Sequence, residues 1–317
     1  NVLVVIGTPV DEHQNPDPHS LPAALEEVRA YVRDGQLLVL RSTIFPGVTA
    51  LTEKLVKSWG LNVDVAFAPE RIAEHQAMAE LGRLPQIVSA TGERGLQRAK
   101  DLFAVLGPET VELTPEEAEL AKLFTNVWRY VKFAIANEFF MLANSKNLDF
   151  ARIREAIGRD YPRGADLPGA GFAAGPCLLK DTLQLSAFAE NRFLLGNAAV
   201  QVNEGLPLYL VGKLKESYDL KSLTVGILGM SFKAGSDDIR SSLSYKLKRA
   251  LEIQAGSVIC TDPMVPASVD DTLMSLEDVL ETADLLVIAT PHSEYKFLET
   301  PKPLIDVWGI NENGISP

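Results

Sequence analysis

Cysteine is scarce in this chain. Only Cys177 and Cys260 occur among 317 residues, too few for a disulfide framework, which suits a reducing, cytoplasmic setting. No apolar run reaches the ~18–20 residues that a membrane-spanning helix needs. The opening stretch has no basic segment of the kind that begins a signal peptide. Positive charge is in deficit, with 30 Lys+Arg against 42 Asp+Glu and a net charge of −12. That field repels polyanions, and no basic cluster offsets it locally, which argues against nucleic-acid binding. His13, His19, His75 and His292 show no metal-ligand spacing, so no metal is expected. What is present is an apolar fraction of 46%. At about 100–200 residues per domain, the length points to two domains with their own cores.

Short apolar runs alternate with amphipathic stretches in the first third. Val2–Ile6, Leu37–Leu40, Val63–Phe67, Gln86–Ala90 and Thr110–Leu113 read as strands, and Leu21–Arg33 and Glu93–Leu106 as helices. Thr-Pro-Glu-Glu at Thr114–Glu117 is a strong helix start, with Thr as cap, Pro next and acids in the first turn. It opens a pattern running to about Ser145, followed by helices near Phe150–Ile157, Cys177–Ala189 and Asn191–Ser217. Alternation then resumes, with strands at Thr224–Leu228, Ser257–Thr261, Leu285–Ala289 and Leu304–Val307. Helices are expected between them at about Ser242–Gln254 and Leu276–Glu281. The expected fold is α/β, with two Rossmann-like, doubly wound parallel-sheet domains joined by a long central helix and a helical middle section. The expected boundaries are 1–113, 114–217 and 218–317. Asn1 has no Met before it and lies inside the apolar run NVLVVIGTP, so further sequence is expected on its N-terminal side.

Four segments could carry chemistry. In RGADLPGAGFAAGPCLLKDT, Arg163–Thr182, a Gly/Ala-rich approach leads to Cys177 at a helix start. The helix N-terminus and Lys180 both favour a thiolate there, which suits a nucleophile. The alternative is a small thiol packed at a helix end. On the long helix, Lys122, Asn126, Phe133 and Asn137 share one stripe, with Lys132 to its side. These polar groups either serve a cleft or satisfy backbone and solvent. Thr43 follows a strand in RSTIFPG, and Glu70 and Glu74 lie four apart after another. Either glutamate could act as a general base or sit on the surface. GMSFKAGSDDIRSS, Gly229–Ser242, offers Lys233 and Arg240 near a helix N-terminus, a phosphate cradle unless Asp237 and Asp238 take the arginine. Cys260 lies within a strand and reads as core.

In order and spacing these segments resemble the UDP-glucose/GDP-mannose dehydrogenase family. The resemblance runs through IGTP at Ile6–Pro9, STIFPG, APERIAE and the Lys122, Asn126, Lys132, Asn137-Glu138 spacing. It continues through GFAAGPCLLKD, GMSFKAGSDDIRSS, TDP at Thr261–Pro263, ADLLVIATPH and the terminal IDVWG. It implies NAD-dependent oxidation of the C6 alcohol of a nucleotide sugar to a carboxylate, by two hydride transfers through a covalent thiol adduct. Carried over, Cys177 is the nucleophile, Lys132, Asn137 and Asp181 steady the oxyanion and position water, and Thr43 and Glu74 handle water and protons. Glu70, Phe172, Gly175 and Lys233 would bind the substrate, while Thr8, Thr43, Lys180 and Arg240 would face the cofactor. The Lys180-Asp181 pair resembles the UDP-glucose branch. The alternatives are a UDP-N-acetylhexosamine (ManNAc or GlcNAc) substrate and a non-catalytic nucleotide-sugar-binding protein. By resemblance the long helix is a homodimerisation element. The family's Gly-rich phosphate turn would precede Asn1, so the chain as given is expected to hold NAD poorly.

Overall fold

A computed structural model describes residues 1–8, 10–11, 15–72 and 77–317. Two compact units divide the chain, one built from 1–127 with 180–194, the other from 128–179 with 195–317.

The first unit runs β1 (Val2–Val4), α1 (Ser20–Glu27), β2 (Leu37–Leu40), α2 (Val48–Ser58), β3 (Asp64–Phe67), α3 (Ala77–Leu81), β4 (Gln86–Ala90), α4 (Glu93–Ala104) and β5 (Thr110–Glu112). The strands lie in that same order across one sheet. Pairing is parallel except between β3 and β4, which run antiparallel. That pair departs from the all-parallel expectation. An antiparallel neighbour needs no helical crossover, and the connection holds only the five-residue α3 among its described residues. All four residues of β2 are buried, as for a strand covered on both faces. Leu38, Leu40, Val65 and Phe67 form the core with α1 and α2 on one side, and Leu37, Val39 and Ala66 meet Ala99 and Phe103 of α4 on the other.

α2 has no capping side chain at its own N-terminus. Its cap, Gly47, has φ +97° and donates no side-chain bond. The missing cap comes from Glu119, whose carboxylate accepts from Gly47 N at 2.6 Å, Thr49 N at 2.8 Å and Thr49 Oγ1 at 2.6 Å. A negative charge on a helix N-terminus is favourable. Burial nevertheless pushes the Glu119 carboxyl above its ordinary value, although these three donors pull it back.

α5 (Pro115–Asn144) starts as the sequence specifies: Thr114 Oγ1 accepts from Glu117 N at 3.3 Å while Glu117 reaches back to Thr114 N at 2.8 Å. α6 (Phe150–Gly158), α7 (Leu178–Phe188) and α8 (Leu194–Ser217) follow. In the second unit come β6 (Thr224–Leu228), α9 (Leu243–Gln254), β7 (Ser257–Thr261), α10 (Leu276–Thr282), β8 (Leu285–Ile288) and β9 (Leu304–Asp306). The sheet order is β7-β6-β8-β9, all parallel. Its core joins Val225, Ile227, Leu285 and Val287 to Leu206, Leu210 and Phe140. Cys260 sits in that core, and burial pushes its thiol up to about 12. Every chain reversal at the carboxyl end of β6, β7 and β8 therefore falls on one rim, where ligands bind in such sheets.

Candidate active site

In the second unit, Cys177 immediately precedes α7 and is exposed. It is not a thiol packed into the core. Two glycines shape its approach. Gly175, at φ +103°, packs against Phe232 so closely that a Cβ would stand 2.5 Å from the ring. Its N–H also donates to Ser241 O at 3.3 Å. The cysteine loop is thus pinned to the Gly229–Ser242 loop. Gly171, at φ +148°, lies under Trp308, where a Cβ would come within 2.2 Å of the ring. Phe172 is buried and meets Trp308 edge-on, with ring centroids 6.4 Å apart.

Asn137 is fully buried. Its Nδ2 donates to Gly171 O at 3.0 Å and Asn203 Oδ1 at 2.9 Å, and its Oδ1 accepts from Gly171 N at 2.8 Å. The amide expected to serve the reacting oxygen is instead committed to the glycine loop. Asn203, which also donates to Tyr130 O at 3.1 Å, carried no local signal in the sequence. Lys132 is one quarter exposed, 3.6 Å from Asp166 and 5.5 Å above the Trp128 ring. Lys233 lies over Phe232 at 5.3 Å. Arg240 grips Asp238 through both carboxylate oxygens, at 2.6–3.0 Å. That arginine bond holds the Asp238 carboxyl below its ordinary value.

Beneath this loop is a buried cluster. Asp262 Oδ2 accepts from Met230 N at 2.6 Å and Ser231 N at 2.8 Å, and lies 3.1 Å from His292 Nε2. Its Oδ1 accepts from Met264 N and Val265 N. Burial alone would raise this carboxyl, but His292 and the Ser231 and Met264 amides outweigh it and hold it far below the usual carboxylate range. The folded chain therefore favours the carboxylate. Its contribution is complete above the ordinary value of 3.8 and is lost progressively as pH falls below it. Thermal unfolding should show a stability loss as pH falls from about 4 toward 2, and Asp262→Asn should make that loss smaller. At pH 7 the same variant should cost about 3 kcal/mol, as for a broken buried pair.

In the first unit, Thr8, Thr43, Lys180 and Asp181 form one polar chain. Thr8 Oγ1 donates to Thr43 O at 2.5 Å, and Lys180 Nζ donates to Thr8 Oγ1 at 3.2 Å. Lys180 Nζ also lies 3.0 Å from Asp181 Oδ1, without hydrogen-bond alignment. Asp181 is fully buried, and its Oδ2 accepts from Asn126 Nδ2 at 2.5 Å. Gln184, one turn on, reaches Thr8 O at 3.4 Å, and its buried Oε1 has no partner among the described residues. Glu70 is engaged by Arg41, and its Oε1 accepts from Arg71 N and Ile72 N at 2.8 and 2.9 Å. That fixes Arg71 and Ile72 beyond the end of β3. Glu74 lies outside the described residues.

Lys180 and Thr8 thus set an ammonium and a hydroxyl beyond the carboxyl ends of β1 and β2, the place where dinucleotides bind in such sheets. Among the described residues, no group of three or more His, Cys, Asp or Glu is placed to hold a metal ion. Among the same residues, no helix is long and apolar enough to cross a membrane.

Three family models cover most of the chain: the NAD binding domain of the UDP-glucose/GDP-mannose dehydrogenase family over residues 1–106, its central domain over 116–205, and its UDP binding domain over 226–312. The chain belongs to the UDP-glucose/GDP-mannose dehydrogenase family. It is 31% identical over 309 residues to the UDP-N-acetyl-D-mannosamine dehydrogenase of Pyrococcus horikoshii, covering 93% of this chain and 72% of that one. It is also 31% identical over 300 residues to the UDP-glucose 6-dehydrogenase of Haloferax volcanii, covering 87% and 69%. Among solved structures, a UDP-glucose dehydrogenase of Pyrobaculum islandicum matches with TM-score 0.89 and 29% identity, over 98% of this chain and 77% of that one. The family assignment makes this an NAD-dependent nucleotide-sugar dehydrogenase with two Rossmann-type domains.

Proposed function

We propose that the protein oxidises the C6 hydroxyl of a UDP-hexose to the carboxylate, with Cys177 as the covalent nucleophile. The observation that carries this reading is an exposed thiol at the mouth of α7, on a loop joined through Gly175 to the segment bearing Lys233. NAD, when bound, accepts a hydride from C6 in each of the two oxidations. The Cys177 thiolate adds to the C6 aldehyde, so that the second oxidation leaves a thioester, which water hydrolyses to free the carboxylate and the thiol. No aldehyde is released between the steps. Lys132 steadies the oxyanion on C6. Asp181, Thr43 and Glu74 position water and take its proton. Phe172 and Gly175 line the sugar nucleotide, Lys233 takes its phosphate, and Thr8, Lys180 and Arg240 serve the cofactor. Asn137 acts one step back by fixing the Gly171 backbone, and Glu70 by holding Arg71 and Ile72. Residues 114–217 supply the catalytic middle section, and 218–317 the nucleotide-sugar domain.

Two sugars have support. The Lys180-Asp181 pair favours UDP-glucose. Relatives named for UDP-N-acetyl-D-mannosamine favour the N-acetylated hexose. Incubating the protein with NAD and each sugar nucleotide separately, and counting NADH, tests both. Two NADH per sugar consumed is expected with one of them. One NADH with a free aldehyde, or none with either sugar, overturns the reading.

We also place a homodimer on α5. Trp128, Ile135, Phe139 and Leu142 are exposed, and their steps of seven, four and three put them on one helical face. An apolar stripe of this length suits a second copy of the chain. Sedimentation should give twice the chain mass, and Trp128→Glu combined with Phe139→Glu should give one chain mass. A monomeric wild-type protein would rule the dimer out.

A further inference from the structure

The Asp262 cluster is bonded to the loop that carries Lys233. Gly235 N–H donates to His292 Nδ1 at 3.3 Å. That leaves the ring proton on Nε2, which lies 3.1 Å from both Asp262 Oδ2 and Ser231 Oγ. Ser231 Oγ in turn donates to Lys233 O at 3.0 Å. A buried carboxylate and a hydroxyl therefore share the one Nε2 proton, and the hydroxyl links the ring to the backbone of Lys233. His292 and Ser231 are each 1% exposed. Thr290 Oγ1 and Ser242 Oγ both donate to Ser231 O, fixing the same residue from its other side. Phe232, between Ser231 and Lys233, bears on Gly175, two residues before Cys177.

We propose that His292, oriented by Asp262, is the positioning residue for the nucleotide-sugar diphosphate. It holds Ser231 and Gly235 on either side of Lys233, so that the ammonium is presented at a fixed place and the cysteine loop rests on a fixed Phe232. A flexible loop would have to be ordered by the ligand, at a cost in affinity. The ring touches neither substrate nor thiol; it acts through Ser231 and Gly235. This inference rests on the phosphate role of Lys233 proposed above.

Calorimetry with UDP as the probe tests it, alongside steady-state kinetics. His292→Leu removes all three ring contacts, and should weaken UDP binding and raise the KM for the sugar nucleotide at least tenfold. The KM for NAD should stay within twofold and kcat within threefold. His292→Asn keeps an acceptor near the Nδ1 position for Gly235 N–H, and should recover to within threefold of wild type. Should His292→Leu fail to fold, Ser231→Ala removes one hydroxyl only and should raise the UDP Kd about fivefold. Unchanged UDP affinity in these variants, beside normal wild-type binding, overturns the positioning role alone. So does a fall in kcat and in both affinities that simply tracks lost thermal stability. A wild-type protein that does not bind UDP overturns the Lys233 reading, and this inference with it.

Discussion

Cys177→Ser should leave a protein that binds its sugar nucleotide normally but turns over at least about a thousandfold more slowly. Serine keeps the shape of the thiol and loses its acidity, and only the thiolate is a competent nucleophile near neutral pH. NADH production with saturating sugar nucleotide measures the loss, and UDP calorimetry shows whether binding survives. A Cys177→Ser protein retaining a tenth of wild-type turnover would remove covalent catalysis from the account.

Asn137→Ala should be the most damaging substitution to the fold of the glycine loop. It strips three hydrogen bonds from buried partners: the Gly171 N–H, the Gly171 carbonyl and the Asn203 amide. Each buried polar group left unpaired costs about 1–3 kcal/mol, so a total near 3–5 kcal/mol is expected. At about 2–4 °C per kcal/mol the melting temperature should fall by roughly 6 °C or more. Asn137→Asp should do no better, since it offers no donor to the Gly171 and Asn203 oxygens and buries a charge. Wild-type melting in Asn137→Asp would show that the loop does not depend on this amide.

These two residues illustrate how far the sequence could be read. The strands at Leu37–Leu40, Gln86–Ala90, Thr224–Leu228 and Ser257–Thr261 have the bounds expected of them, because a buried strand is written as a local apolar run. α5 begins where its Thr114–Glu117 cap sits in the chain. The cap of α2 has no local signature, because its capping carboxylate lies on Glu119, seventy residues from Thr49. The antiparallel β3–β4 pair was equally hidden, since an apolar strand reads alike in either direction. The site divides in the same way. Cys177 is legible from a glycine-rich approach followed by a helix start. Asn137 is legible as a polar group on an apolar helix, yet its partners, Gly171 and Asn203, are 34 and 66 residues away. Distance in the chain likewise conceals the line from Asp262 to Lys233, which draws on the ends of three strands.

The unequal placement of the two cysteines gives the protein a built-in chemical label. Cys260 is sealed at 2% exposure with its thiol pushed up to about 12, whereas Cys177 stands open to solvent. A chromogenic disulfide reagent should release one equivalent of dye from the native chain and a second only after guanidinium is added. A fluorophore or spin probe can thus be installed at one defined position without removing any residue by mutagenesis.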